Sequence, residues 1–219
     1  MKRLEHRLPI WTLSYFALYL PWFMVLEARD PAACTIVQLG IDHKIPFCEY
    51  FIIPYLLWFF YIGAGVSYIM LTQPKKEYYR FAGLLFGGFT VCLILYSFFY
   101  TGLSLRPTID PNKNLFTWLT SMIWTADTST NVCPSIHVYA TLVVQFAFGR
   151  YGLGKRHPAL YGGCWVLSVA IILSTMFLKQ HSVLDVLCAF ALFCAMRPAV
   201  YGIAWADAPR RRRLARVRT

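Results

Sequence analysis

The sequence predicts an all-α integral membrane protein with six transmembrane helices and both termini in the cytoplasm, and three observations predict it. Hydrophobic residues make up 58% of the 219 residues and charged ones only 14%, far from the balance of a soluble domain. The apolar residues fall into runs near the roughly 20 residues that a helix needs to cross the hydrocarbon. The cations gather between alternate runs, which reports topology. A net charge of +11 raises nucleic acid as a partner, but no soluble stretch is left to present a basic groove. Membrane lipids are the expected partners and no nucleic acid is expected.

The first run, Leu8 to Leu26, follows Met1-Lys2-Arg3. A cleaved signal peptide competes, with Pro31-Ala32-Ala33-Cys34 as its processing site. The run exceeds a signal core, however, and Glu27, Arg29 and Asp30 intervene. A polar loop holding Asp42, His43 and Lys44 leads to the second span, about Phe47 to Leu71, where Pro54 is tolerable if neighbours satisfy the freed carbonyl. The basic loop 73–80 precedes the third span, about Phe81 to Leu103, in which Gly83, Gly87 and Gly88 offer close helix contact.

Residues 105–132 are polar and turn-rich, but Leu115, Leu119, Met122 and Ile123 recur at helical spacing. They predict a short interfacial helix around 113–125, either a surface flap or a lid. The fourth span starts at Pro134 and runs to about Phe148, the fifth covers about Ala159 to Leu178, and the sixth about Ser182 to Ile203. Residues 209–219 form a basic tail, and the whole chain, 1–219, reads as one domain.

The N-terminus, the loops 73–80 and 150–156, Arg197 and the tail hold 16 of the 21 Lys and Arg residues. By the positive-inside rule these segments face the cytoplasm. The remaining cations, Arg29, Lys44, Arg106, Lys113 and Lys179, then lie outside. Four of the seven cysteines, Cys92, Cys164, Cys188 and Cys194, fall in apolar runs and read as small core hydrophobes. Cys34 and Cys48 could pair as a disulfide in an oxidising compartment, with Cys133 competing.

Ionisable groups at the mouths of hydrophobic spans are costly and call for a function. Pro134, as a first helical residue, would leave the amides of Ser135 and Ile136 pointing outward at the positive end of a helix, an anion site. The Ser135 hydroxyl adds a donor, and His137 can reach the same anion as an acid. His181 and Asp185 are four apart, on one helix face. The carboxylate can fix the tautomer of the imidazole, leaving the other ring nitrogen free to attack. Arg106 and Lys179, on the same side, suit phosphate.

Arg106-Pro107, then Pro134-Ser135-x-His137, then Ser174 with His181-x-x-x-Asp185 after it, resemble the three signature motifs of the type 2 phosphatidic acid phosphatase and haloperoxidase superfamily, in order. The resemblance covers roughly residues 80–200. It implies a phosphohistidine on His181, a proton donor in His137, an orienting Asp185, and phosphate binding by Arg106 and Ser135, with the Ile136 amide and Ser174 as further expected phosphate ligands. The family's first lysine is replaced by Phe99, and the arginine after its serine by Thr175. Lys179 is expected to supply one missing cation. Thr175 and Lys179-Gln180-His181 look more like the branch that includes sphingomyelin and inositol phosphorylceramide synthases.

The expected function is hydrolysis of a lipid phosphate on the outer face of a bacterial plasma membrane, without metal or other cofactor. The alternatives are transfer of the phosphoryl group to a lipid alcohol on the same site, and a non-catalytic lipid transporter or scaffold. A metal bound by two histidines and a carboxylate is disfavoured, because Arg106 and Lys179 would repel it.

Overall fold

The computed structural model describes residues 8–202; the basic tail and His6 lie outside the described residues. It contains eight α-helices and two short strands. A 3-10 turn, Ile10–Tyr15, runs into α1 (Phe16–Glu27). Then follow α2 (Ile52–Thr72), α3 (Lys75–Phe98), α4 (Leu115–Ala126), α5 (Ile136–Arg150), α6 (Leu153–Arg156), α7 (Pro158–Phe177) and α8 (Val183–Tyr201).

Among the described residues, five helical segments are long and apolar enough to cross a membrane, Ile10–Glu27, Glu49–Thr72, Lys75–Phe98, Pro158–Phe177 and Val183–Tyr201. The chain is an integral membrane protein. The fourth expected span is α5, and its 15 residues reach about 22 Å, short of the hydrocarbon thickness. Yet α5 is the hub of the bundle, packed against α2, α3, α7 and α8. Val138, Tyr139, Ala140, Val143, Val144 and Ala147 are fully buried in it, so it is apolar on every side as a core helix must be.

Several boundaries moved for local reasons. Pro54 falls in the first turn of α2, where no intrahelical N–H is required, so it frees no carbonyl within the helix. α3 begins directly after Pro74 and ends at Phe98. Beyond it the backbone turns extended, and Thr101–Gly102 (β2) pairs in parallel with Thr35–Ile36 (β1). Of the three glycines singled out in this span, only Gly88 is in close contact, beneath the Tyr139 ring; Gly83 faces open space.

The expected interfacial helix is α4, started by a reciprocal cap in which Asn114 accepts from the Thr117 amide at 2.9 Å and the Thr117 hydroxyl accepts from the Asn114 amide at 3.1 Å. Its inner side packs on the entry to α2, with Tyr50 and Phe116 rings 5.1 Å apart, and an ion pair of 2.7 Å joins Lys113 to Glu49. Leu115, Trp118 and Met122 stay exposed on the other side, as suits a helix lying in an interface. No disulfide joins Cys34 to Cys48. Cys34 lies against Gly102, whereas the Cys48 amide bonds to the Phe177 carbonyl at 3.1 Å.

Candidate active site

The turn between α7 and α8 carries His181. At the end of α7 the Lys179 amide bonds back to the Met176 carbonyl at 3.1 Å and the Gln180 amide to the Thr175 carbonyl at 2.9 Å. This pair of bonds is a Schellman motif, which needs a left-handed residue, usually glycine, just past the helix. Here Lys179 takes that place with φ 57°. Its ammonium is anchored by the Asp42 carbonyl at 2.8 Å and by the Ile45 carbonyl. Lys179 is thus committed to the loop before α2 and does not line the cavity described below. Burial pulls its pKa down, against the pull of the nearby Asp42 carboxylate.

The reversal delivers His181 to the start of α8. Ser182 caps this helix, accepting from the Asp185 amide at 3.2 Å, while the Asp185 carboxylate accepts from the Ser182 amide at 2.8 Å. The same carboxylate oxygen stands 3.4 Å from His181 Nδ1, so Asp185 has a capping task and an imidazole neighbour at once. Among the described residues, neither His181 Nδ1 nor the other Asp185 oxygen has a hydrogen-bond partner. Such contacts are often long without substrate and tighten when the site is filled.

His137 arrives from α5. Ser135, not Pro134, caps that helix, its hydroxyl accepting from the Val138 amide at 3.3 Å. The helix therefore starts later than expected, and the free amides are those of Ile136 and His137. The Ser135 amide is already bonded to the Asp185 carbonyl at 3.2 Å, which ties the starts of α5 and α8 together. His137 packs against Tyr55 and Trp58, with ring centroids at 4.8 and 4.4 Å. Its ring centroid lies 5.7 Å from that of His181.

The other expected anion ligands are placed differently. Ser174 gives its hydroxyl to the Ile171 carbonyl at 2.6 Å. Arg106 donates to the Trp124 carbonyl at 3.0 Å, to the Asp127 carbonyl at 2.7 Å and to Gln180 Oε1. The guanidinium braces the loop after α4 against the His181 turn; burial lowers its pKa, and the Asp127 carboxylate opposes that shift.

A cavity of 610 Å³ joins these parts. His137, His181, Gln180 and Ile136 line one end; α1 and α2 supply an apolar body that includes Phe16, Phe23, Trp58 and Ile62. Ser135, Ser174, Arg106, Lys179 and Asp185 are not among its lining residues. Three lining groups were missed in the sequence. Gln180 adjoins the histidine, Asp127 ends α4, and Glu27 ends α1. Asp127 accepts from the Tyr55 hydroxyl at 2.9 Å. Burial and then the Glu27 charge raise its carboxyl above the usual range, against the pull of His181, Tyr55 and Arg106. Glu27 accepts from the Asn131 side-chain Nδ2 at 2.6 Å and the Thr128 hydroxyl at 2.6 Å. Only position adjacent to a catalytic candidate could have pointed to Gln180; nothing local pointed to Asp127 or Glu27.

Among the described residues, no group of three or more His, Cys, Asp and Glu side chains could hold a metal. The arrangement offers two facing imidazoles, one backed by a carboxylate, beside an apolar chamber. That can transfer a group between an anionic head and a second acceptor. No family model, no curated protein and no solved structure matches this chain.

Proposed function

We propose that the chain is a six-span lipid phosphatase, with α5 as the short central span, both termini cytoplasmic and the histidine pair facing outside. The single observation that carries the reading is that His137 and His181 face each other, 5.7 Å between ring centroids, at one end of a chamber whose body is apolar. A phosphate between the rings leaves its lipid chain in the groove of α1 and α2. The free nitrogen of His181 attacks phosphorus, the bond to the lipid oxygen breaks, and His137 gives that oxygen its proton. Water then loses a proton to His137, attacks the phosphohistidine and releases phosphate, restoring His181. Asp185 holds the imidazole in the attacking tautomer.

One observation favours a second reading, transfer to a lipid alcohol. Among the described residues, Glu27 and Asp127 line the chamber and no Lys or Arg does. Carboxylates at low dielectric repel a phosphomonoester dianion more than a singly charged phosphodiester. A diester donor with an alcohol acceptor fits that field.

The test is turnover by the full-length chain in nanodiscs, supplied with radiolabelled phosphatidate or a phosphodiester lipid, with and without diacylglycerol or ceramide. Phosphate release marks a phosphatase and a new labelled lipid marks a transferase. Acid-labile label on the protein, lost in His181→Ala, marks the shared intermediate. A chain that turns over none of these lipids, and takes no label, is instead a transporter or scaffold.

A further inference from the structure

Arg106 was expected to bind phosphate, yet its two terminal nitrogens are engaged on two carbonyls and on Gln180, and its Nε, buried without a hydrogen-bond partner among the described residues, belongs to a side chain that does not line the cavity. Gln180 itself does line the cavity, beside His181 and His137. It is only 2% exposed, and its Nε2, beside the Tyr55 hydroxyl, is buried with no hydrogen-bond partner among the described residues. The orientation of this carboxamide follows from chemistry. A guanidinium only donates, so the oxygen must face Arg106 and the NH₂ must face the other way. A buried amide nitrogen left unpaired is destabilising, a cost that a bound acceptor removes.

The second half of the cradle is the start of α5. Its first amides, on Ile136 and His137, have no intrahelical acceptor, and both residues line the same end of the cavity. A helix start alone would say little. Here a buried, unpartnered donor from a different helix turn lines the same space.

We infer that Gln180 is an anion-binding residue, its Nε2 donating to an equatorial oxygen of the phosphoryl group together with the amides that open α5, while Arg106 acts through Gln180 as a positioning residue. The inference rests on the reading of the site as one for phosphoryl transfer. It also fits the field of the chamber: a neutral donor and backbone dipoles bind a weakly charged oxyanion without demanding a dianion. Arg106 fixes which end of the amide faces the ligand, and the Schellman reversal fixes where the amide stands.

The test separates the two ends of the amide. Gln180→Glu keeps the oxygen that Arg106 grips and removes the donor; Gln180→Met removes both. Orthovanadate, a mimic of pentacoordinate phosphorus, is the probe, and its binding to the full-length chain in nanodiscs is measured by vanadium NMR next to lipid turnover. Loss of one hydrogen bond to a charged group corresponds to about 10- to 100-fold in affinity. Both variants are expected to weaken vanadate by that factor, with the melting temperature of Gln180→Glu preserved. If Gln180→Glu binds vanadate as wild type does, or wild type binds none, the inference is overturned. Wild type that binds vanadate in a Gln180-dependent way but turns over no lipid would retain the cradle and reject the proposed function. Lipid turnover that is unchanged in both variants would do the reverse.

Discussion

The ring of His137 lies 5.7 Å, centroid to centroid, from the ring of His181, and the first comes from α5 while the second comes from the turn that leads into α8. His137 is held in place by Tyr55 and Trp58, and the Trp58 indole also donates to the His137 carbonyl at 3.1 Å. The spacing lets both rings reach one group bound at the edge of the pair.

If the two rings divide the labour, removing one should not mimic removing the other. His137→Gln is expected to accept label on His181 but to slow turnover by about 10²- to 10⁴-fold, the usual worth of a general acid. Rapid-quench labelling reads both quantities. Turnover at the wild-type rate would take His137 out of proton transfer.

Asp185 serves the cap and the imidazole, and two substitutions separate these duties. Asp185→Asn retains an oxygen for the Ser182 amide, so the melting temperature should hold while turnover falls at least about 10²-fold, because an amide no longer enforces the attacking tautomer. Asp185→Ala should lose that activity and about 1 kcal/mol of stability besides, the worth of a cap. Thermal melts and initial rates on both variants check this. Full activity in Asp185→Asn would reduce the residue to its capping role.

Lys179 gives a prediction opposite to the one drawn from its charge. Its ammonium is bound to loop carbonyls, so Lys179→Met should lower the melting temperature without changing vanadate affinity. A large loss of vanadate affinity with an unchanged melt would return Lys179 to the anion.

The Asp127 carboxyl is raised by burial and by the Glu27 charge. Its ionised form therefore costs the folded protein stability. The cost is absent where the carboxyl is protonated in both folded and unfolded chains, below about pH 4, and complete above the raised folded value. Asp127→Asn, which can still accept from Tyr55, should raise the melting temperature at about pH 7 and change it little at about pH 3. Equal effects at the two values would contradict the assignment.

Gly88 sits under Tyr139, whose hydroxyl donates to the Leu84 carbonyl at 2.6 Å. A Cβ there would overlap the ring. Gly88→Ala should cost about 1–3 kcal/mol by overpacking, whereas Gly83→Ala, facing open space, should cost nothing measurable by the same melt.

The long apolar runs, the amphipathic α4 and the one-turn pairing of His181 with Asp185 were legible because each depends on residues close in sequence. The letters Ser182-x-x-Asp185 also spell a helix cap, so one aspartate carried two messages of which the spacing of His181 gave only one. What could not be read is set by convergence. Arg106 meets Gln180, and Asp127 and Glu27 line the same chamber, only after the bundle forms. The reversal after α7 was hidden for another reason: a lysine holds the left-handed position where glycine is the usual signal.

Asp42 accepts the amides of Leu39 at 2.6 Å and Val183 at 2.8 Å through its carboxylate, and its carbonyl takes the Lys179 ammonium at 2.8 Å. Connecting segments ordinarily tolerate grafts and deletions. This one behaves as a keystone, because the residue that shapes it also seats the beginning of α8. An epitope grafted beside Asp42 would disturb the seat of His181, although Asp42 itself has no place in the chamber wall.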